Sequence, residues 1–419
     1  MRLLHVAKPE EALSALIRDY LKSHPVAETE TVGILDSFGR ILAENITAPE
    51  DVPSFARSTM DGYAVFAADT AGAGESMPVL LDIAEKLCAG SVPACAVGSG
   101  KCAYTPTGGM IPEGADAVVP VELCQNVSDS RVAIFGAVSA GRNVVLPGED
   151  VGKGSVILRK GTRISSAETG LLCAVGVTRV QVFRPLRVWI ISTGDEIVPP
   201  EQVPGFGKMR DVNSAALAAK CREMGLVPVG HELVPDDSDR LVSALKRAFR
   251  KADAVLLSGG SSKGEKDLTA EAVEKATGKP LLTHGISMKP GKPAIIGSSE
   301  ECGCSVLGLP GHPVAAILVC EYLLGGLWRT ITGADQIGTV RYTFGITEKN
   351  MPSSPGRKTV QQVRLTDNGE GLPTVTPVNA KSGLIRSLTE TDGFVMIDEN
   401  TEGIRKGETV RVWLNGIFI

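Results

Sequence analysis

Much that would identify a redox, zinc or nucleic-acid protein is missing from this chain of 419 residues. Its five histidines are scattered, and its nine cysteines include no C-x-x-C pair, so neither residue type is spaced like a zinc site. An odd cysteine count, with Cys173 in GLLCAVG and Cys320 in AILVCEY, fits reduced thiols in apolar runs rather than a disulfide framework. Cys302-Gly303-Cys304 is a close pair without matching ligands elsewhere. There is no basic excess. The net charge of -5 and pI near 5.7 exclude a general nucleic-acid binder while leaving room for a local anion site. The N-terminal stretch MRLLHVAKPEEAL has no apolar core followed by a cleavage site, and no apolar run approaches the roughly 18 residues that span a bilayer. The expectation is a cytoplasmic protein with no membrane and no nucleic acid among its partners. No fixed-period repeat is evident.

What is present is ordinary globular composition, 43% hydrophobic and 22% charged, in a chain long enough for several cores. Residues 9–22 carry apolar positions at helical spacing. From about 50 to 145, short apolar runs such as ADAVVPVEL and RVAIFGAV are separated by Gly, Pro and Ser, a β-rich pattern. After Arg187, apolar strands alternate with amphipathic helices. RVWIIST, LVPVGHELV, ADAVLLS, LLTHGISM, PAIIG and CSVLGL read as strands. NSAALAAKCREMG, with Asn213 as cap and Gly225 as stop, reads as a helix. So do SDRLVSALKRAFRKA capped by Ser238, LTAEAVEKATG, and a closing PVAAILVCEYLLGGL. This describes a doubly wound α/β domain. Beyond about 335 the helices vanish and short alternating strands read as a small β-barrel or sandwich, the barrel being the expectation taken forward. The implied division is an N-terminal linking module (1–50 and 145–186), a β-rich module (51–144), the α/β domain (187–334) and a C-terminal β-barrel (335–419).

Ligands of open parallel sheets sit beyond the carboxyl ends of the strands. Three loops should leave such ends: STGDE (192–196), SGGSSKGEKD (258–267) and GLPGHP (308–313). A fourth, MKPGKP (288–293), supplies Lys289 and Lys292. Backbone amides at Gly259, Gly260, Ser261 and Ser262 suit a phosphate, and Gly308 and Gly311 allow close backbone approach. The second loop is neither a Walker A motif nor a G-x-G-x-x-G fingerprint. Its acidic tail, with Glu265 and Asp267, is awkward beside phosphate unless a hard divalent cation such as Mg²⁺ lies between. Each loop alone reads equally well as turn chemistry, with Asp267 a helix cap and Asp195 a turn residue; the case rests on several at strand ends of one domain.

Longer signatures resemble a known family. PEDVPSFARSTMDGYAV (49–65) resembles its P-x-F-x-x-S-x-M-D-G-Y-A segment. PTGGMIPEGADAVVPVE (106–122), RNVVLPGEDVGKG (142–154), RVWIISTGDEIV (187–198), MRDVNSAAL (209–217), SGGSSKGEKD and MKPGKP follow in the same order. Over nearly its whole length the chain is similar to the molybdopterin molybdenumtransferases, which include the E domain of gephyrin. The resemblance implies an elongated four-module subunit in a homodimer, with a site formed by one subunit's α/β domain and modules of its partner. It implies a reaction in which adenylylated molybdopterin and molybdate give the molybdenum cofactor and AMP, with a divalent cation. The molybdopterin adenylyltransferase is an implied partner.

Carried over residue by residue, the resemblance puts Asp61, Asp150, Glu196 and Asp267 around metal and molybdate, with Asp61, Glu196 and Asp267 as metal ligands. Thr107 and Gly108 would line the cleft. Ser261, Ser262 and Lys289 would hold phosphates beside Lys292, with Gly259, Gly260, Lys263, Pro310 and Gly311 in the same cradle. Ser382 and Arg386 in KSGLIRSL would reach it from the last domain. The chain departs from the family pattern at His312 (PGHP for P-G-N-P), Lys263 (SSKG for S-x-S-V-G), Gly109 and Gly285. These departures leave the oxyanion open between molybdate and tungstate. Two other readings stand beside the transferase: a non-catalytic molybdopterin-binding or scaffold paralogue, and a phosphoanhydride hydrolase sharing only the α/β domain.

Overall fold

A computed structural model describes residues 6–259, 268–334, 342–369, 371–378 and 383–414. The chain divides into two compact units, residues 45–159 with 167–178, and the remainder.

The smaller unit is built on β1 (Gly62–Val65), β2 (Val79–Lys86), β3 (Lys101–Thr105), β4 (Ala117–Pro120), β5 (Cys124–Ser128) and β6 (Arg131–Ile134). They form one sheet in the order β4-β1-β3-β2-β6-β5, antiparallel except between β2 and β3. All four residues of β1 are buried, and Gly62 is required there, since a Cβ would lie 2.3 Å from the Val119 carbonyl oxygen.

The larger unit begins with α1 (Pro9–Ser23) and carries the α/β domain. Its elements are β7 (Arg187–Thr193), α2 (Asn213–Glu223), β8 (Val227–Val234), α3 (Ser238–Phe249), β9 (Ala254–Ser258), α4 (Leu268–Thr277), β10 (Thr283–His284), β11 (Met288–Lys289), β12 (Ile295–Ser299), β13 (Cys304–Leu309) and α5 (Pro313–Cys320). The sheet order is β8-β7-β9-β13-β12-β10, parallel through β13 and antiparallel beyond it. Successive side chains of a strand point to opposite faces. Accordingly Val188, Ile190, Leu256 and Leu307 join one core with α1, α2 and α5, while Ile191, Val255, Leu257 and Val306 join a second with α3 and α4. Burial on both faces is why these strands read as continuous apolar runs.

Details of the helix starts differ from the sequence reading. Asn213 is the first helical residue of α2, not its cap, and the Asp211 carboxylate accepts the Ser214 N–H at 3.1 Å instead. In α3 the cap is Asp237, one residue before Ser238, accepting the Arg240 N–H at 2.8 Å. LLTHGISM is two strands, not one. Gly285, at φ +95°, breaks it, so that β10 stays in the α/β sheet while β11 leaves it. Pro313–Thr332 is a 20-residue helix long and apolar enough to cross a membrane by composition, but 67% of its most apolar stretch is buried in the protein, and it packs in the first core. A Cβ on Gly326 would meet the Leu13 side chain at 2.9 Å, a measure of how closely α1 lies on this helix.

The last part is β14 (Tyr342–Thr347), β15 (Lys358–Thr366), β16 (Thr374–Pro377), β17 (Gly393–Ile397) and β18 (Thr409–Leu414). Pairings run β15-β16-β14-β18-β17 and back to β15, closing a five-stranded barrel, and β11 adds to β15 in parallel. All nine cysteines are unpaired. Cys102, Cys221, Cys304 and Cys320 are buried, whereas Cys173, for all its apolar neighbours, is exposed.

At the amino end of β9, Asp253 is 7% exposed and bonded to both Arg184 (3.1 Å) and Arg187 (3.0 Å). Burial alone would raise its carboxyl, but the Arg187 and Arg184 bonds outweigh that and hold it below the ordinary value. The carboxylate therefore contributes stability that is present above its unfolded pKa of about 3.9 and lost as pH falls through the lower folded value. Asp253→Asn should destabilise the larger unit by about 2–4 kcal/mol at pH 7 by stranding two guanidinium groups. Denaturant unfolding should show that loss shrinking below about pH 4; an undiminished difference at pH 3 would contradict the assignment.

Candidate functional site

In the α/β domain, β7, β9 and β13 end side by side, with Ser192 opposite Ser258 and Ser258 opposite Leu309. Three loops therefore leave one edge of the sheet together. Gly259 follows β9 at φ +109°, and a Cβ on it would sit 2.0 Å from the Thr193 carbonyl oxygen, so only glycine fits. Across the crevice a Cβ on Gly311 would come within 3.8 Å of the Gly259 Cα. Pro310 is buried and Gly311 exposed. Gly259 and Gly311 thus bring the two loops together with no side chain of their own between them.

A residue that sequence reasoning assigned to capping holds the loops together. Asn213, 8% exposed, donates from Nδ2 to Ser258 Oγ at 2.7 Å and to the Gly311 carbonyl at 2.8 Å. Its Oδ1 and the nearby Ser192 Oγ are buried without partners among the described residues. Nothing in the local sequence announces these contacts, since Ser258 and Gly311 lie 45 and 98 residues away.

Glu196 is exposed in the loop after β7, where the Met209 N–H donates to its carbonyl at 2.8 Å. A Cβ on Gly194 would meet the Glu196 carboxylate at 2.8 Å. Lys289 lies on β11, opposite Thr359 of β15, and its Nζ donates to Ser354 Oγ at 2.8 Å. Lys292 is half-buried, and its carbonyl accepts the Ile286 N–H at 3.0 Å. Arg386, in the short helix Arg386–Thr389, is exposed and pairs with Glu390 at 2.8 Å. A Cβ on the neighbouring Gly383 would lie 3.8 Å from His312 Cδ2, so the barrel's 383–389 segment does reach the PGHP loop. Gly260, Ser261, Ser262, Lys263, Glu265, Asp267 and Ser382 lie outside the described residues.

In the smaller unit, β1 and β3 are antiparallel with Gly62 opposite Thr105. The residue before β1 therefore faces the residues after β3. Asp61 Oδ1 accepts the Thr107 N–H at 2.7 Å and its hydroxyl at 2.9 Å. Those two bonds, the backbone one first, hold the exposed Asp61 carboxyl below its ordinary value. Gly108, at φ +76°, donates to the Ser58 carbonyl at 2.8 Å and completes this turn. Asp150 is exposed in a different turn of the unit, its N–H bonded to the Val52 carbonyl at 3.1 Å.

Two glycine-bearing loops thus meet at strand ends of an α/β domain joined to a β-barrel, and a hydrogen-bonded Asp–Thr pair lies in a separate β-rich unit. Comparison with known proteins gives that arrangement a family. Residues 7–176 match the MoeA N-terminal region (domain I and II), 189–328 a molybdopterin binding domain and 345–414 the MoeA C-terminal region (domain IV). The molybdopterin molybdenumtransferase of Bacillus subtilis is 33% identical over 92% of this chain and 90% of its own. A molybdopterin biosynthesis protein of Methanocaldococcus jannaschii is 33% identical over 98% of each. A solved molybdopterin biosynthesis MoeA protein of Pyrococcus horikoshii superposes with a TM-score of 0.75 at 35% identity, covering 98% of this chain and 99% of that one. The chain belongs to the molybdopterin molybdenumtransferase family.

Thr107→Val removes one of the two donors to Asp61 and keeps the fold of the turn. The Asp61 carboxyl should then titrate at a higher pH than in the unchanged protein, read from its ¹³Cγ shift. Thr107→Ser, which keeps the hydroxyl, should leave it in place. Equal titration of all three would show that the hydroxyl bond is not formed in solution.

Proposed function

We propose that this enzyme inserts molybdate, or tungstate, into adenylylated molybdopterin and releases AMP. The observation that carries the reading is the meeting of Gly259 and Gly311 at adjoining strand ends, in a chain of this family. Two side-chain-free loops offer amide donors to a phosphate, as a nucleotide-bearing pterin requires. Gly260, Ser261, Ser262 and Lys263 continue the first loop, Pro310 belongs to the second, and Lys292, Ser382 and Arg386 complete the binding set. Thr107 and Gly108 bind in the other unit.

Breaking the phosphoanhydride leaves charge on the departing phosphate oxygen, which fixed cations and amides stabilise more in the transition state than in the ground state. Lys289 is the fixed cation, its Nζ tethered to Ser354. Asp61, Asp150, Glu196 and Asp267 are the acidic groups. Their oxygen-only donors suit a hard divalent cation. Asp61, Glu196 and Asp267 would hold Mg²⁺, which would neutralise charge on the reacting phosphate. Among the described residues no three His, Cys, Asp or Glu side chains converge on one point, and Asp267 lies outside them. Asp61, kept ionised by Thr107, has the charge state a metal ligand needs. The working form is a cytoplasmic homodimer that receives its substrate from the molybdopterin adenylyltransferase.

The scaffold reading is less well supported, because curated relatives at 30–33% identity over most of the chain are named as transferases. The test is AMP release from adenylylated molybdopterin with molybdate. Activity should vanish with chelator and return with Mg²⁺. Glu196→Gln and Lys289→Met should each lower kcat/KM by about 100-fold, the scale for removing one electrostatic stabiliser. Unchanged rates in both variants would refute the assigned roles; tight pterin binding with no AMP release would favour a scaffold.

A further inference from the structure

Asn213 bonds the end of β9 and the Gly311 loop together, and it does so from inside the protein. Its Nδ2 carries two hydrogens, and both are used, one on Ser258 Oγ at 2.7 Å and one on the Gly311 carbonyl at 2.8 Å. The orientation of the amide is settled chemically. A carbonyl oxygen at Gly311 can only accept, so the nitrogen must face it. That leaves Oδ1 on the other side, buried and without a partner among the described residues. An orphaned buried acceptor opposes folding and needs an explanation. Here the whole donor capacity of the amide is spent on the Ser258 hydroxyl at the end of β9 and the Gly311 carbonyl of the other loop.

The anchor itself is fixed. Asn213 starts α2, whose first turn is tied down by Asp211 through the Ser214 N–H, and α2 packs through Leu217 and Cys221 into the core shared with β7 and α5. Ser258 is the last residue of β9 and is 1% exposed. Gly311 has no side chain to pack, so the Asn213 bond helps to fix its peptide beside Pro310 and the start of α5.

We propose that Asn213 is a positioning residue that sets the separation of the 258–259 and 310–311 loops, and through it the affinity for the nucleotide end of the pterin substrate. This rests on the functional reading above. In this role Asn213 acts through the Gly311 carbonyl and the Ser258 hydroxyl, whose placement decides whether the neighbouring amides converge on one phosphate. Misplacement by about 1 Å in such a site can cost about 100-fold.

The test uses the full-length protein, with Asn213→Asp and Ser258→Ala beside the unchanged enzyme. Asn213→Asp keeps the shape but replaces the shared donor with an acceptor that repels the Gly311 carbonyl. Ser258→Ala keeps the Gly311 bond and loses the other. Steady-state kcat and KM for adenylylated molybdopterin, the Kd of molybdopterin-bound AMP substrate with molybdate omitted, and the melting temperature are measured together. Asn213→Asp should raise KM and Kd by about 10- to 100-fold with kcat changed less, and Ser258→Ala should raise them by a smaller factor. A merely structural role would lower the melting temperature and the active fraction but leave Kd for the folded protein unchanged; that result overturns the inference, as does equal Kd in all three. If Asn213→Asp does not fold, Ser258→Ala decides alone, and an unchanged Kd there overturns it. An unchanged enzyme that neither binds nor turns over the pterin nucleotide overturns the functional reading instead, and the inference falls with it.

Discussion

The strand Ala254–Ser258 constrains everything around it. Its five residues are buried, with Val255 and Leu257 on one face of the sheet and Ala254 and Leu256 on the other, and β7 and β13 occupy both of its edges. A strand enclosed on four sides can change only at its ends. At its amino end Asp253 is clamped by Arg184 and Arg187. At its carboxyl end the apolar run stops at Ser258, and Gly259 turns at a φ of +109° hard against the Thr193 carbonyl. The parallel neighbours end at the same level, so their loops share one edge and no other arrangement of those loops is open to the chain.

The two carboxylates that the structure describes most fully show how the same group serves opposite ends. Asp253 is buried and saturated by two guanidinium groups, and all of its charge is spent on holding the fold. Asp61 is exposed, and both bonds from Thr107 fall on its Oδ1. Thr107 keeps it ionised at little cost in desolvation, because water still reaches it. The proposed role of meeting a cation requires a carboxylate already charged, and this pairing keeps the charge with a hydroxyl and an amide rather than a competing lysine.

Much of this was legible in the sequence for a physical reason. Two-sided burial demands uninterrupted apolar strands, and RVWIIST, ADAVLLS and CSVLGL stand out for that reason. The glycine loops were legible because Gly259 and Gly308 stand where a Cβ would clash. What escaped were contacts between distant positions. Asn213 has the composition of a cap and sits where a cap belongs, yet its amide is drawn to Ser258 and Gly311, and Asp211 does the capping. LLTHGISM carries no polarity change at Gly285 to show that its two halves pair with different sheets.

The division of LLTHGISM also decides how Lys289 is presented. Two residues of the α/β domain, Met288 and Lys289, leave their own sheet and hydrogen-bond along β15 of the barrel, with Ser287 O accepting the Lys358 N–H at 2.9 Å. Met288 is buried in the core of the α/β domain, so the short strand is anchored by its side chain on one side and by its backbone on the other. Strand side chains alternate, so burying Met288 turns Lys289 outward. There Ser354, from the barrel, meets its ammonium. Lys8 with Glu399 and Lys358 with Glu10 add ion pairs between the N-terminal helix region and the barrel on the same side. Exposed pairs of that kind stabilise little individually; the two-residue strand, with one side chain in each environment, is what ties the charge on Lys289 to the placement of both domains.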